Sequence, residues 1–238
     1  MNVDFTNKVV LVTGASAGIG EYTAILFAKL GAKLSLVGRN EANLRAVADK
    51  CEKQKGVKPL AIVADLGTDE GVERTAKQTL DHFKRLDVLV NNAAIGARTC
   101  ILATDMATFD DVFRIDVRGV YNLTRLLVPA LIETKGNIVN ISSVSGTMVT
   151  VGSLPYGMAK VSDFVKRLTG YSAAEYEAWL STSSKHIPMG EVCLGDDIAK
   201  MVVHIASDNS RLVTGTVVEV DGGFRFTSPT NLITDQIK

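Results

Sequence analysis

Cysteine is scarce in this sequence, and the three that occur, Cys51, Cys100 and Cys193, form no CxxC pair. An odd number without that spacing argues against a disulfide framework and a zinc site, so no metal is predicted and a reducing compartment is expected. Net charge is absent too, because 26 basic residues balance 26 acidic ones. Without an overall field to attract nucleic acid or anionic lipid, a small-molecule partner is favoured.

Long apolar runs are also lacking. None approaches the roughly 18 residues that a membrane span needs, and no signal-peptide core precedes Val9. The sequence therefore predicts a cytoplasmic chain without a membrane partner. What it does contain is 46% hydrophobic and only 22% charged residues, which is enough apolar material for a buried core.

Apolar, β-branched segments alternate along the chain with segments of helical spacing. Strands are predicted at residues 9–12, 34–37, 60–64, 88–91, 138–141 and 216–220. Helices are predicted at residues 19–30, 40–50, 69–83, 108–133, 173–183 and 197–206, with Pro129 expected to kink the fourth. This alternation is typical of a doubly wound, Rossmann-type parallel α/β sheet. No linker or repeat divides the chain, so one domain over residues 1–238 is predicted.

A glycine-rich segment, Thr13 to Gly20, joins the first strand to the first helix. Its G-x-x-x-G-x-G spacing lets a phosphate approach the amide groups of the helix N-terminus. A glycine-rich turn that binds no ligand is the alternative interpretation.

Arg39 follows the second strand, where NAD-binding proteins tend to place an acid for the ribose hydroxyl. A base there suits a 2′-phosphate, so NADP(H) is favoured over NAD(H). The alternative is an ordinary surface arginine. Asp65, after the third strand, is expected either to contact adenine or to cap the next turn.

Tyr156 and Lys160 are four residues apart and would share one face of a helix. A cation beside the phenol favours the phenolate and lowers its pKa, which suits proton transfer. Ser143, in the loop after the fifth strand, could hydrogen-bond a substrate oxygen. Taken alone, a Tyr-x-x-x-Lys pair is more often part of a solvated helix face.

Together these segments resemble the short-chain dehydrogenase/reductase family from Lys8 to Gly223. The matching segments, in family order, are Thr13–Gly20, Asn91–Ala94, Ser143, Tyr156–Lys160 and Val220–Gly223. The resemblance implies that Tyr156 is the acid/base, that Lys160 holds the nicotinamide ribose, and that Ser143 orients the carbonyl. It implies that the dinucleotide contacts Gly14, Ser16, Gly18, Ile19, Gly20, Arg39, Asp65, Leu66, Asn92, Ala93, Tyr156 and Lys160.

Two single residues depart from the family pattern. Ala94 stands where the family usually has glycine, which adds only a methyl group. Asp116 stands where the family has an asparagine that helps hold a water in the proton relay. A carboxylate can accept that hydrogen bond but cannot donate one, so Asp116 is a catalytic candidate whose relay is in question.

The largest departure follows Lys160, where the family's sixth strand and its Pro-Gly turn have no counterpart. By that resemblance roughly 25 to 30 residues are missing, and one strand of the usual seven with them. Residues 169–195 then form the substrate-loop region. Residues 216–220 would have to pair with the fifth strand or leave backbone groups unsatisfied. A splice form, a faulty gene model and a degenerate copy all remain open.

The leading hypothesis is an NADP-dependent oxidoreductase that transfers a hydride to or from the ketone or secondary alcohol of a small apolar substrate. Steroid, terpenoid and 3-oxoacyl compounds are candidate substrates by family resemblance alone. The alternative is a catalytically impaired, nucleotide-binding relative that acts as a non-catalytic partner, and a third is an interaction module independent of nucleotide. The family resemblance also implies a homodimer or homotetramer.

Overall fold

A computed structural model describes residues 3–55, 57–96, 104–146, 154–159, 173–185 and 187–224. Its strands are β1 (Val9–Thr13), β2 (Lys33–Gly38), β3 (Leu60–Val63), β4 (Val88–Asn91) and β5 (Asn137–Asn140). Its α-helices are α1 (Gly18–Lys29), α2 (Glu41–Lys55), α3 (Asp69–Phe83), α4 (Met106–Phe113), α5 (Val120–Thr134), α6 (Leu154–Ala159), α7 (Ala173–Ser184) and α8 (Gly195–Ala206). The predicted alternation of strands and helices is confirmed.

The five described strands form one parallel sheet in the order β3-β2-β1-β4-β5. Every residue of β1 is buried, because helices cover both of its faces. On one face Val10, Val12 and Leu36 pack against α1, α2 and α8; on the other, Leu11 and Leu89 pack against α3 and α5. The predicted Rossmann-type, doubly wound fold is therefore confirmed.

Local signals in the sequence explain where several helices begin and end. The Asn40 side chain accepts a hydrogen bond from the Asn43 amide at 2.9 Å, as expected of the residue before a helix. Thr68 does the same for α3, accepting from the Gly71 amide at 3.0 Å. After α1 the chain reverses at Gly31, whose φ of 89° is accessible to glycine without strain.

The long helix predicted at residues 108–133 is interrupted. Between α4 and α5, residues Arg114–Gly119 form a π-helical turn, called here the wide turn. It contains Asp116, and the α-helical pattern resumes at Val120 and runs through Pro129. An apolar pattern of period near 3.6 does not reveal such a local widening, so the sequence analysis missed it.

The strand predicted at residues 216–220 is wrong. Thr216 to Glu219 are exposed in irregular backbone, and the side chain of Val217 is 82% exposed. Among the described strands, β5 therefore has a neighbour on one side only. The amino-acid preference for a strand was read correctly, but a strand forms only where a partner supplies hydrogen bonds.

Candidate active site

A cleft of about 380 Å³ opens at the carboxyl ends of β1, β2 and β4. The sheet order reverses between β1 and β4, which is where open α/β sheets bind their ligands. The cleft is lined by Gly14, Ser16, Ala17, Gly18, Ile19, Val37, Gly38, Arg39, Asn40, Asn43, Ala64, Asp65, Leu66, Asn92, Ala93, Ala94, Ile95, Ile115 and Tyr156.

The glycine loop forms the floor of this cleft. Gly14 and Gly18 have φ values of 65° and 60°, so both use the left-handed backbone region that glycine tolerates. The residue before α1, Ala17, supplies no side-chain hydrogen bond to the first turn of the helix. Gly18 and Ile19 of that turn line the cleft, and within the described residues no capping side chain accepts from its amides, which favours an anionic ligand.

Gly20 was predicted to contact the nucleotide, but it does not line the cleft. A Cβ built on Gly20 would overlap the Gly14 carbonyl oxygen and lie 2.6 Å from Asn92 Nδ2. The residue is therefore required for close packing of α1 beneath the loop. Its role is to support the binding surface from behind.

Thr13 and Asn92 tie the glycine loop to the end of β4. The Thr13 hydroxyl accepts hydrogen bonds from the Asn92 and Ala93 amides at 2.9 Å each and donates to the Val90 carbonyl at 3.2 Å. Asn92 Nδ2 donates to the Thr13 carbonyl at 2.8 Å. Sequence analysis named Thr13 as the first residue of the glycine-rich segment but assigned no role to its hydroxyl, although its place between the buried strand and Gly14 was a usable signal.

Arg39 lies at the far end of the cleft, exposed, at the carboxyl end of β2. No carboxylate in the described part of the chain forms an ion pair with it, whereas the neighbouring Arg45 pairs with Glu41. Asn43 lies beside it and was not predicted. A positive charge and an amide donor are therefore available here to an anionic group.

Asp65 and Leu66 form another wall of the cleft. Asp65 Oδ1 accepts a hydrogen bond from the Gly67 amide at 2.9 Å. Of the two roles expected for Asp65, capping of its own turn is therefore present, and the residue also lines the cleft.

Tyr156, on α6, borders the opposite end of the cleft with only 3% of its surface exposed. Ser143 is not among the lining residues, and its hydroxyl accepts a hydrogen bond from the Ser145 amide at 2.9 Å. Lys160, the third member of the predicted set, lies outside the described residues. The structure thus brings Tyr156, but not Ser143, to the cleft.

Asp116 is buried in the wide turn, behind the cleft wall. Its Oδ1 accepts a hydrogen bond from the Ile95 amide at 2.9 Å, and Ile95 lines the cleft. The carboxylate accepts this hydrogen bond from a backbone amide, and its part in a proton relay stays a prediction. Its contact holds the segment after β4 in place.

Neither metal ligands nor membrane-spanning helices are found in the described ranges. Those ranges contain no group of three or more His, Cys, Asp or Glu side chains placed to hold a metal ion. None of the described helices is both long and apolar enough to cross a bilayer.

Comparison with known proteins identifies relatives over most of the chain. Residues 8–182 match the family model described as short chain dehydrogenase, and residues 161–225 match one described as enoyl-(acyl carrier protein) reductase. A 3-oxoacyl-[acyl-carrier-protein] reductase of Thermotoga maritima is 29% identical, covering 91% of this chain and 97% of its own. The (+)-borneol dehydrogenase 2 of Salvia officinalis is 32% identical, covering 93% and 90%.

A solved structure has the same fold. The L-sorbose reductase of Gluconobacter frateurii, crystallised with NADPH and L-sorbose, superposes with a TM-score of 0.86 at 24% identity. The match covers 96% of this chain and 100% of that one.

Length also differs between this chain and its relatives. The alignment with the Thermotoga protein spans 239 positions, although only 91% of this chain takes part. That relative therefore has residues with no counterpart here.

Proposed function

The chain belongs to the short-chain dehydrogenase family of oxidoreductases, and on that premise we propose that it transfers a hydride between NADP(H) and a carbonyl or secondary alcohol. The observation that carries the proposal is the cleft itself. It joins the glycine-loop amides, a buried Tyr156 and Arg39, which has no ion pair among the described residues, along one surface. Each suits one part of a dinucleotide-dependent reaction.

A nicotinamide cofactor is implied by the family, and the residues present fit it. The amides at the start of α1 suit a diphosphate, and the glycines let it approach the backbone. Arg39 and Asn43 suit the 2′-phosphate that distinguishes NADP(H) from NAD(H). Asp65 and Leu66 would border the adenine.

The nicotinamide, when bound, supplies or accepts the hydride. Tyr156 donates a proton to the substrate oxygen in reduction and accepts one in oxidation. Only 3% of the residue is exposed, so its position is fixed by packing. We assign Lys160 to lowering the pKa of Tyr156 and Ser143 to orienting the carbonyl, with Ser143 turning from the Ser145 amide to do so.

The substrate we propose is a small apolar ketone or its alcohol. Ala94, Ile95 and Ile115 give the cleft beside Tyr156 an apolar lining. The names of two relatives, a 3-oxoacyl reductase and a borneol dehydrogenase, support 3-oxoacyl and terpenoid compounds, with steroid ketones as a third class. Residues 169–195, which contain α7, would form the substrate loop.

A cytoplasmic location is part of the proposal, and it fits the observation that Cys51 and Cys193 form no disulfide within the described part of the chain.

A second copy of the chain is the partner we propose. Val117 of the wide turn and Tyr121, near the start of α5, are both exposed, the latter to 71%. Phe113 and Arg118 border the same shallow apolar depression. Because Arg118 already pairs with Asp69, the contact we propose between two copies related by two-fold symmetry is the apolar one, made by Val117 and Tyr121. Light scattering should show that the wild type is a dimer and that Tyr121→Glu is a monomer. A monomeric wild type would refute the proposed dimer.

The proposed chemistry is tested by mixing the chain with NADPH and a panel of apolar ketones. Tyr156→Phe should lower kcat about 100-fold or more, because it removes the proton donor. Tyr22→Phe is the matched control, since that tyrosine is 48% exposed on α1 and does not line the cleft. Equal turnover by wild type and Tyr156→Phe would reject the assigned role. NADPH binding without turnover of any ketone would instead favour the non-catalytic relative.

A further inference from the structure

The wide turn Arg114–Gly119 has two sides. Val117 and Arg118 face outward, whereas Ile115, Asp116 and Gly119 are buried. π-Helical turns are rare and occur often at functional sites. The buried side of this one lies behind the cleft wall, and Ile115 forms part of that wall.

The wide turn packs directly against the loop Asp65–Gly67. A Cβ built on Gly119 would overlap the Leu66 carbonyl oxygen and lie 3.1 Å from the Leu66 carbonyl carbon. Close approach of the two backbones therefore requires glycine at position 119.

A second contact holds the same loop from another direction. The Arg114 guanidinium lies over Gly67, where a Cβ would overlap it. Arg114 is itself oriented by Asp111, whose Oδ1 accepts from Nη2 at 2.8 Å and from Nε at 3.3 Å. The loop is thus clamped between the backbone at Gly119 and the side chain of Arg114.

The clamped loop is part of the cleft. Asp65 and Leu66 line it, and the bond from the Gly67 amide to Asp65 Oδ1 makes the loop a compact turn. Because the loop lies between the wide turn and the cleft, a methyl group at position 119 would push the Leu66 carbonyl toward the cleft. Overpacking of this kind shifts backbone when no flexible side chain can yield.

We propose that Gly119 and Arg114 are positioning residues that set the wall of the cleft against which the adenine half of the dinucleotide rests. The inference rests on the proposed function, since it takes the cleft to bind a dinucleotide. It assigns a role in affinity to two residues that touch neither the reacting atoms nor the phosphates.

The test measures affinity for 2′,5′-ADP, which carries only the adenine half, beside kcat at saturating NADPH and ketone. Gly119→Ala should weaken the binding of 2′,5′-ADP about tenfold, and Arg114→Ala should weaken it about threefold. Neither should change kcat more than about twofold, because the reactive end is untouched. Arg118→Ala is the matched control: it removes an arginine of the same turn that pairs with Asp69 instead of the loop, and it should bind as wild type.

Three results would overturn the inference. The first is unchanged 2′,5′-ADP affinity in both Gly119→Ala and Arg114→Ala. The second is a loss of kcat in these variants without a loss of affinity. The third is a loss of 2′,5′-ADP affinity in Arg118→Ala equal to that in the two variants. Should Gly119→Ala fail to fold, Arg114→Ala decides alone. If the wild type itself binds no 2′,5′-ADP, the proposed function fails as well. That result differs from a failure of the inference alone, in which the wild type binds 2′,5′-ADP and the variants bind it equally well.

Discussion

At the scale of single residues, the sequence predicted best those positions whose chemistry is local. The glycine loop, Arg39 and Tyr156 lie where their spacing placed them, because each follows a strand or occupies a helix that the pattern identified. Thr13 was named in the glycine loop without a role of its own, Asn43 was missed, and Gly20, predicted to contact the nucleotide, packs beneath the loop instead of lining the cleft. Their roles arise from contacts with distant segments, such as Thr13 with Asn92, which no spacing rule encodes.

Arg39 should decide which dinucleotide binds. Arg39→Ala removes a charge-assisted hydrogen bond of ~1.5–3 kcal/mol to the 2′-phosphate, so NADPH affinity should fall about 10- to 100-fold while NADH affinity stays nearly constant. Fluorescence titration with both nucleotides measures this. Arg45→Ala is the control, because this exposed arginine on α2 pairs with Glu41 and does not line the cleft. A parallel loss of both affinities would refute the assignment.

Cys51 should be chemically inert until the chain unfolds. Burial raises its pKa from 9.0 to about 12, with a smaller contribution from the nearby Glu21 carboxylate, so the folded chain holds the neutral thiol. The unfolded chain loses that proton near pH 9 while the folded chain retains it. Stability should therefore fall as pH rises from 9 toward 12.

Thiol labelling at pH 8 tests the state of Cys51. In a Cys193→Ser background, peptide mapping should show Cys51 modified only when denaturant unfolds the chain. Cys193, which is only half-buried, should react in the folded wild type. Rapid labelling of Cys51 without denaturant would contradict its assigned burial.

At the scale of elements, helices and strands with clear periodicity and capping signals were predicted almost to the residue. The helix α3, predicted at residues 69–83, begins and ends there. The wide turn was not foreseen, because the sequence analysis took residues 108–133 as one continuous α-helix, whereas Arg114–Gly119 is π-helical. The strand at residues 216–220 failed for a different reason: pairing is a long-range property, and no described strand lies beside the segment.

The cap of α3 should contribute measurably to stability. Thr68→Ala removes the acceptor of the Gly71 amide and should lower the free energy of unfolding by ~1 kcal/mol. Urea denaturation followed by circular dichroism gives that value. Thr182→Ala is matched to it, since Thr182 is exposed on α7 and its hydroxyl donates only to the Ala178 carbonyl of the same helix. Equal effects of the two substitutions would refute the cap.

At the scale of the whole molecule, the fold was predictable because continuous apolar strands alternate with amphipathic helices, and few topologies satisfy that order. The site was predictable to the extent that it follows from the fold: strands end at one edge, and the order reverses between β1 and β4. The supporting contacts behind the cleft, from Asp116, Gly119 and Arg114, depend on the wide turn. They were therefore invisible until the packing was known.

Calorimetric titration of the purified chain with NADPH and NADH tests the central claim most directly. Binding of one NADPH per chain is predicted, tighter than NADH, with the difference removed by Arg39→Ala. No heat with either dinucleotide, at concentrations up to the millimolar range, would contradict the assignment of this cleft to a nicotinamide cofactor.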